Sequence, residues 1–262
     1  MLIVLKYGGN AMSLPSAPEP LLDELAERAQ GGDRIVLVHG GGPQIDEELR
    51  ARGIAERRVA GLRVTDAATL AVVEAVLCGR VNKALVRALL ARGARAVGLS
   101  GQDGGLLVAR RAPAIEGVAL GFVGEIERVE PAPLEALLAA GFVPVVAPLA
   151  LEARTLVPLN VNADTAAGAI AGALAADAYL IVTNVARVRR ELGDPGSELA
   201  RLDASEARAL LADGSFGGGM RPKIESALAA LAAGARSVAI AGGGPGAVAR
   251  ALGGEGTTLV PG

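Results

Sequence analysis

The chain has 262 residues, 26 basic against 28 acidic side chains, one histidine, one cysteine and 2% aromatic residues. That balance excludes the basic, aromatic-studded face of a nucleic-acid binder. A lone cysteine and a lone histidine exclude a disulfide framework and a cysteine or histidine-rich zinc site.

No run is long and charge-free enough to span a bilayer, and the amino terminus opens directly on a strand, so a soluble cytoplasmic protein with no membrane partner is expected. Residues 2–5 are apolar without alternation, the pattern of a parallel-sheet strand buried on both faces. The strand ends in Lys6-Tyr7-Gly8-Gly9, a cation followed by backbone that can turn sharply and offer N–H groups to an anion. A helix is expected over 21–30, then a second buried strand over 34–38 ending in His39-Gly40-Gly41-Gly42-Pro43, then a helix over 44–52. Strand, glycine turn and helix thus recur, which is the grammar of a parallel sheet with crossover helices. Neither turn is a Walker loop, and no dinucleotide fingerprint is present. His39 fits a base or a structural hydrogen-bonder, and a histidine at a strand end is more often the latter.

A long helix over 67–91, interrupted near Gly79, follows Gly61-Leu62-Arg63-Val64-Thr65-Asp66, with Thr65 or Asp66 as its cap and Arg63 placed to grip a carboxylate or to face solvent. A strand over 95–99 leads to a hairpin flap of 106–110 and 122–129, a helix over 131–140 and a buried strand over 142–147. Asn160, Asn162 and Asp164 alternate ahead of a helix over 165–174, so their side chains share one side of an extended segment, with Asp164 either capping the helix or facing the cleft. A strand over 179–182 ends at Thr183-Asn184-Val185, and the arginine-rich loop over 187–201 either meets a nucleotide or is simply solvated. After a helix over 204–212, the turn Ser215-Phe216-Gly217-Gly218-Gly219-Met220 precedes Pro222 and Lys223 at the start of another helix. A cation at a helix amino terminus is unfavourable, so an anion should compensate Lys223. The last core strand covers 238–241, and 256–260 reads as an edge strand.

The groups gathered at the carboxyl edge of this sheet are two lysines, an arginine, glycine turns, two asparagines and an aspartate. Such a set stabilises negative charge and performs little covalent chemistry, which is what phosphoryl transfer demands. A carboxylate acceptor, already ionised, needs no general base.

In sequence order, Lys6-Tyr7-Gly8-Gly9-Asn10-Ala11-Met12, Val38-His39-Gly40-Gly41-Gly42-Pro43, Gly61-Leu62-Arg63-Val64-Thr65, Asn160-Val161-Asn162-Ala163-Asp164-Thr165-Ala166-Ala167 and Gly218-Gly219-Met220-Arg221-Pro222-Lys223 resemble the blocks of the amino-acid kinase family, over essentially the whole chain. The resemblance implies a three-layer αβα sandwich around a central, mainly parallel sheet. It is a single domain with an acyl amino acid-binding lobe over 1–160 and an ATP-binding lobe over 161–262. It implies transfer from ATP to the side-chain carboxylate of N-acetyl-L-glutamate. Lys6 and Lys223 would neutralise the migrating group, with Asp164 holding both. Gly8, Gly9, Gly41 and Gly42 would offer backbone N–H groups. Arg63, Asn160 and Asn162 would bind the acyl amino acid, and Thr183, Asn184, Val185, Phe216, Gly217, Gly219 and Met220 the nucleotide. Mg²⁺ would ride on the ATP phosphates, with no metal ligands from the protein.

The family usually has aspartate where Asn184 stands, and arginine-inhibited hexameric members carry an extra amino-terminal helix ahead of the first strand, so a homodimer without strong arginine feedback is expected. Asn184 and Leu77-Cys78-Gly79 lean towards the related kinase for α-aminoadipate or glutamate on a carrier protein, and a non-catalytic sensor on the same scaffold is the rival from another class.

Overall fold

The computed structural model describes residues 1–8, 12, 19–191, 193–217 and 219–260. Its centre is an eight-stranded sheet. In spatial order the strands are β14 (Arg201–Asp203), β16 (Thr257–Val260), β15 (Val238–Gly242), β11 (Ala178–Thr183), β1 (Leu2–Tyr7), β2 (Arg34–His39), β8 (Val143–Ala147) and β5 (Ala96–Ser100). Every neighbouring pair is parallel except β15 with β16. The terminal strand read as an edge therefore lies inside the sheet, and the short β14 takes the edge.

Alternation along these strands feeds two separate apolar layers. Leu2, Val4, Val38 and Ile181 face helices α5 (Ala132–Ala139), α6 (Ala163–Ala173), α7 (Ala204–Ala212) and α8 (Arg221–Ala232). Ile3, Leu5, Leu37 and Leu180 face α1 (Pro20–Gln30), α2 (Gly42–Ala51), α3 (Ala67–Glu74), α4 (Asn82–Leu90) and α9 (Ala247–Leu252). The result is the three-layer sandwich. Between α3 and α4 the chain keeps turning through a π-helical segment, Ala75–Val81, so the interruption expected near Gly79 is a widened turn within one long helix.

The flap is larger than a hairpin. β6 (Leu107–Arg111) and β7 (Gly124–Val129) pair antiparallel, but β9 (Leu149–Glu152) and β10 (Pro158–Asn160) extend them to a four-stranded sheet. Two ribbons complete the fold: β3 (Arg58–Val59) with β4 (Leu62–Arg63), and β12 (Val188–Arg189) with β13 (Glu198–Leu199). The first ribbon packs on the flap through a small core of its own, built on Val59, Leu120 and Val123.

Candidate active site

The carboxyl ends of β1, β2 and β11 open into a cavity of about 800 Å³. Register decides what enters it from β1. Lys6 pairs with Val38 and Ile181, so it points to the α6–α8 side of the sheet, while Tyr7 points to the other. On that side Asn162 caps α6, its amide oxygen accepting from the N–H groups of Asp164 (2.8 Å) and Thr165 (3.2 Å). Because Asn162 caps the helix, the Asp164 carboxylate is not needed there and reaches back to both lysines. Lys223 Nζ donates to its Oδ2 at 3.1 Å. Lys6 Nζ stands 3.0 Å from Oδ1 as an ion pair, but its alignment is poor for a hydrogen bond.

This cluster holds two cations against one anion, and it is nearly sealed: Lys6 is 6% and Asp164 4% exposed. Burial pushes the Lys6 pKa below its usual value and the Lys223 charge pushes it further, against the pull of Asp164. An unmatched buried charge is costly, and an anion in the cavity is what relieves it.

Backbone donors stand opposite. The α2 helix starts at Gly42 behind Gly41, both in the cavity wall, with the positive end of its dipole turned inward. A Cβ on Gly41 would lie 2.6 Å from Leu77 Cδ2, so any side chain there would need Leu77, in the π-helical segment, to shift. Gly8 also lines the cavity; Gly9 lies outside the described residues.

At the far end Arg63, 7% exposed, lies between carboxylates. Its Nη2 pairs with Asp46 and its Nη1 stands 3.1 Å from Glu56, while Arg58 Nη2 shares Asp46 at 3.2 Å. Asn160 donates to Thr65 Oγ1 (3.2 Å), and Thr65 donates to the Arg63 carbonyl (2.8 Å), which ties β10 to the arginine. Asp46 and Arg58 were not singled out from sequence. Asp46 lies one helical turn beyond Gly42, on a helix whose start was already in view, and that spacing was the signal available.

Thr183, Asn184, Val185, Gly217, Gly219 and Met220 line the same cavity, with Thr183 Oγ1 donating to Asn184 Oδ1 (3.2 Å). Phe216 does not. It is 3% exposed and packs in the core between the sheet and the α6–α8 helices, so its expected place beside a nucleotide is corrected to a core one. Two arginines of the loop after β11 turn to carboxylates, Arg189 to Glu198 (3.2 Å) and Arg190 to Glu206, and neither lines the cavity. His39 is fully buried. Its Nδ1 donates to the Gly40 carbonyl (2.8 Å) and its Nε2 accepts from Asn82 (3.2 Å), while burial lowers its pKa to about 4. It is neutral and structural, and the alternative of a base is set aside. Among the described residues no group of three or more His, Cys, Asp or Glu side chains could hold a metal, and no helix is long and apolar enough to cross a membrane.

Both the sequence and the fold that carries the lysine–aspartate–lysine cluster have close counterparts among known proteins. The chain belongs to the amino acid kinase family, whose model matches residues 1–242. Within that family it is 42% identical over 246 residues to the acetylglutamate kinase of Symbiobacterium thermophilum, covering 92% of this chain and 84% of the relative. It is 45% identical over 240 residues to the acetylglutamate kinase of Methanopyrus kandleri, covering 90% and 93%. A solved structure from Streptococcus mutans, smu.665, superposes with a TM-score of 0.83 at 28% identity, over 99% of this chain and 98% of that one.

Proposed function

We propose that this kinase transfers the γ-phosphoryl group of ATP to the side-chain carboxylate of N-acetyl-L-glutamate, giving an acyl phosphate, the activation step of arginine biosynthesis. The observation that carries this reading is the surplus positive charge at Lys6 and Lys223, buried on one aspartate and facing the backbone donors of the α2 start. The acceptor carboxylate oxygen attacks the γ-phosphorus, the bond to the β–γ bridging oxygen breaks, and ADP carries away the electron pair. No proton moves, which suits a site whose histidine is buried and neutral.

Lys6 and Lys223 neutralise the equatorial oxygens as charge spreads over them, and Asp164 fixes their separation. Gly8, Gly41 and Gly42 supply N–H groups to the migrating unit. Arg63 and Asn160 hold the α-carboxylate end of the acyl amino acid. Asp46 and Glu56 keep the guanidinium in one orientation and balance its charge, so that end selects by geometry rather than by bulk attraction. Thr183, Asn184, Val185, Gly217, Gly219 and Met220 form the nucleotide side, in the carboxyl-terminal lobe over 161–262. Mg²⁺, carried by the nucleotide, supplies charge neutralisation at the phosphates; the one carboxylate between the lysines is already engaged. The chain acts as a homodimer, which sedimentation reads directly.

Trapping the acyl phosphate with hydroxylamine tests the assignment. N-acetyl-L-glutamate should give hydroxamate far faster than L-glutamate. Product only from a carrier-bound substrate would move the reading to the carrier-dependent kinase, and ATP binding without turnover to a sensor.

A further inference from the structure

We propose that Tyr179 is a positioning residue for phosphoryl transfer: its hydroxyl, together with that of Ser226, ties the main chain carrying Asp164 to the main chain carrying Lys223. The inference rests on the reading of the site just given.

Tyr179 is the second residue of β11 and is wholly buried beneath the first turns of α6 and α8. Its hydroxyl lies 3.1 Å from the Asp164 carbonyl oxygen and 3.3 Å from Ser226 Oγ, and Ser226 Oγ lies 3.0 Å from the Lys223 carbonyl oxygen. The Lys223–Asp164 side-chain bond of 3.1 Å closes the ring from above. Two hydroxyl protons serve these three contacts. Tyr179 donates to the Asp164 carbonyl, and Ser226 shares its proton between the Lys223 carbonyl and the Tyr179 hydroxyl, so the link from α6 to α8 runs through these two side chains.

Packing alone does not call for this oxygen. A phenyl ring fills the same apolar space, whereas a buried hydroxyl is costly unless it is bonded. Burial and the nearby Asp164 charge raise the phenol's pKa well above its ordinary value, so it stays a neutral donor. The two helices are held against each other independently of it. A Cβ on Gly168 would lie 2.6 Å from the Ser226 carbonyl oxygen, and one on Gly172 would lie 2.4 Å from Ala233 Cβ. Losing the hydroxyl therefore leaves the helices packed and loosens only the spacing of their first turns. That spacing sets how Lys223 meets the migrating group, where about 1 Å of misplacement is enough to slow a reaction strongly.

The test compares Tyr179→Phe, Ser226→Ala and the double variant, with ATP and N-acetyl-L-glutamate as substrates. Tyr179→Phe should lower kcat about 3- to 10-fold, the rate equivalent of one hydrogen bond, with both KM values within about twofold of the parent. The double variant should match the worse single variant rather than multiply the two losses. Unchanged kcat in Tyr179→Phe, or multiplying losses, overturns the tie while leaving the function intact. Amide hydrogen exchange in the first turns of α6 and α8 provides a readout that does not depend on turnover. It should quicken in Tyr179→Phe, and unchanged exchange overturns the tie even if N-acetyl-L-glutamate proves not to be the substrate.

Discussion

The two ends of the cavity are built on opposite plans. The end proposed for the phosphoryl group is largely buried, sets two lysines on one aspartate, and hangs from the central sheet and the first turns of α6 and α8. At the acyl end two arginines face two carboxylates, Asp46 and Glu56 are 28% and 34% exposed, and the ribbon that supplies Arg63 rests on a satellite core of its own. The first plan suits a reaction that must hold the same migrating group in every turnover. The second suits recognition, because a buried guanidinium held in one orientation by two carboxylates selects its ligand by geometry.

That contrast breaks most visibly at the lysines. Lys6→Ala or Lys223→Ala should each lower kcat about 10²- to 10⁴-fold, since an ammonium about 4 Å from a phosphoryl oxygen at an effective dielectric of 20 contributes about 4 kcal/mol. Both variants should remain folded, because each removal relieves a surplus buried charge. Near-normal turnover in either would show that the sealed end is structural. Arg63→Ala should act on the other plan, raising KM for the acyl amino acid about 10- to 100-fold while leaving KM for ATP alone. A change confined to ATP would reverse the assignment of the two ends.

His39 sharpens the comparison by separating the frame from both ends. It lies under the glycine turn, and its folded pKa of about 4 is below the 6.5 of the unfolded chain. As pH falls below about 6.5 the unfolded chain binds a proton that the folded chain refuses until about pH 4. Stability is therefore fully present above that window and declines through it, by about 2 kcal/mol between pH 6.5 and 5. Urea midpoints at pH 7.5 and 5.0 read this directly. Identical midpoints would mean that the imidazole is protonated in the native state.

How far each end was legible in the sequence follows from the same contrast. The unbroken apolar runs disclosed the parallel sheet, and placing a lysine at the end of the first run put a cation at its carboxyl edge. The acyl end was half legible. Arg63 stood out, but its partner Asp46 comes from another element, and a pairing between elements leaves no trace in periodicity. The terminal strand was misplaced because its neighbour β14 is three residues long with charged ends, too short to read as a strand. Phe216 was taken for part of the nucleotide wall because glycines surround it, yet an aromatic ring beside a flexible turn is as easily folded inward, and here it is.

The smallest effect bears on the choice that sequence left open, whether Asp164 caps α6 or faces the cleft. Two short polar residues two positions apart satisfy the same pattern, and only the structure shows that Asn162 accepts the first-turn N–H groups and thereby leaves the carboxylate to the lysines. Asn162→Ala should then cost about 1 kcal/mol of stability. It should lower kcat only a few-fold, as Asp164 is drawn towards the uncapped helix, and Asn162→Ser, which keeps a capping oxygen, should restore both. If instead Asn162→Ala left the unfolding midpoint in place and raised KM for the acyl amino acid, with serine giving no rescue, the side chain would be a substrate ligand. The sealed end would then owe its geometry to something other than the cap.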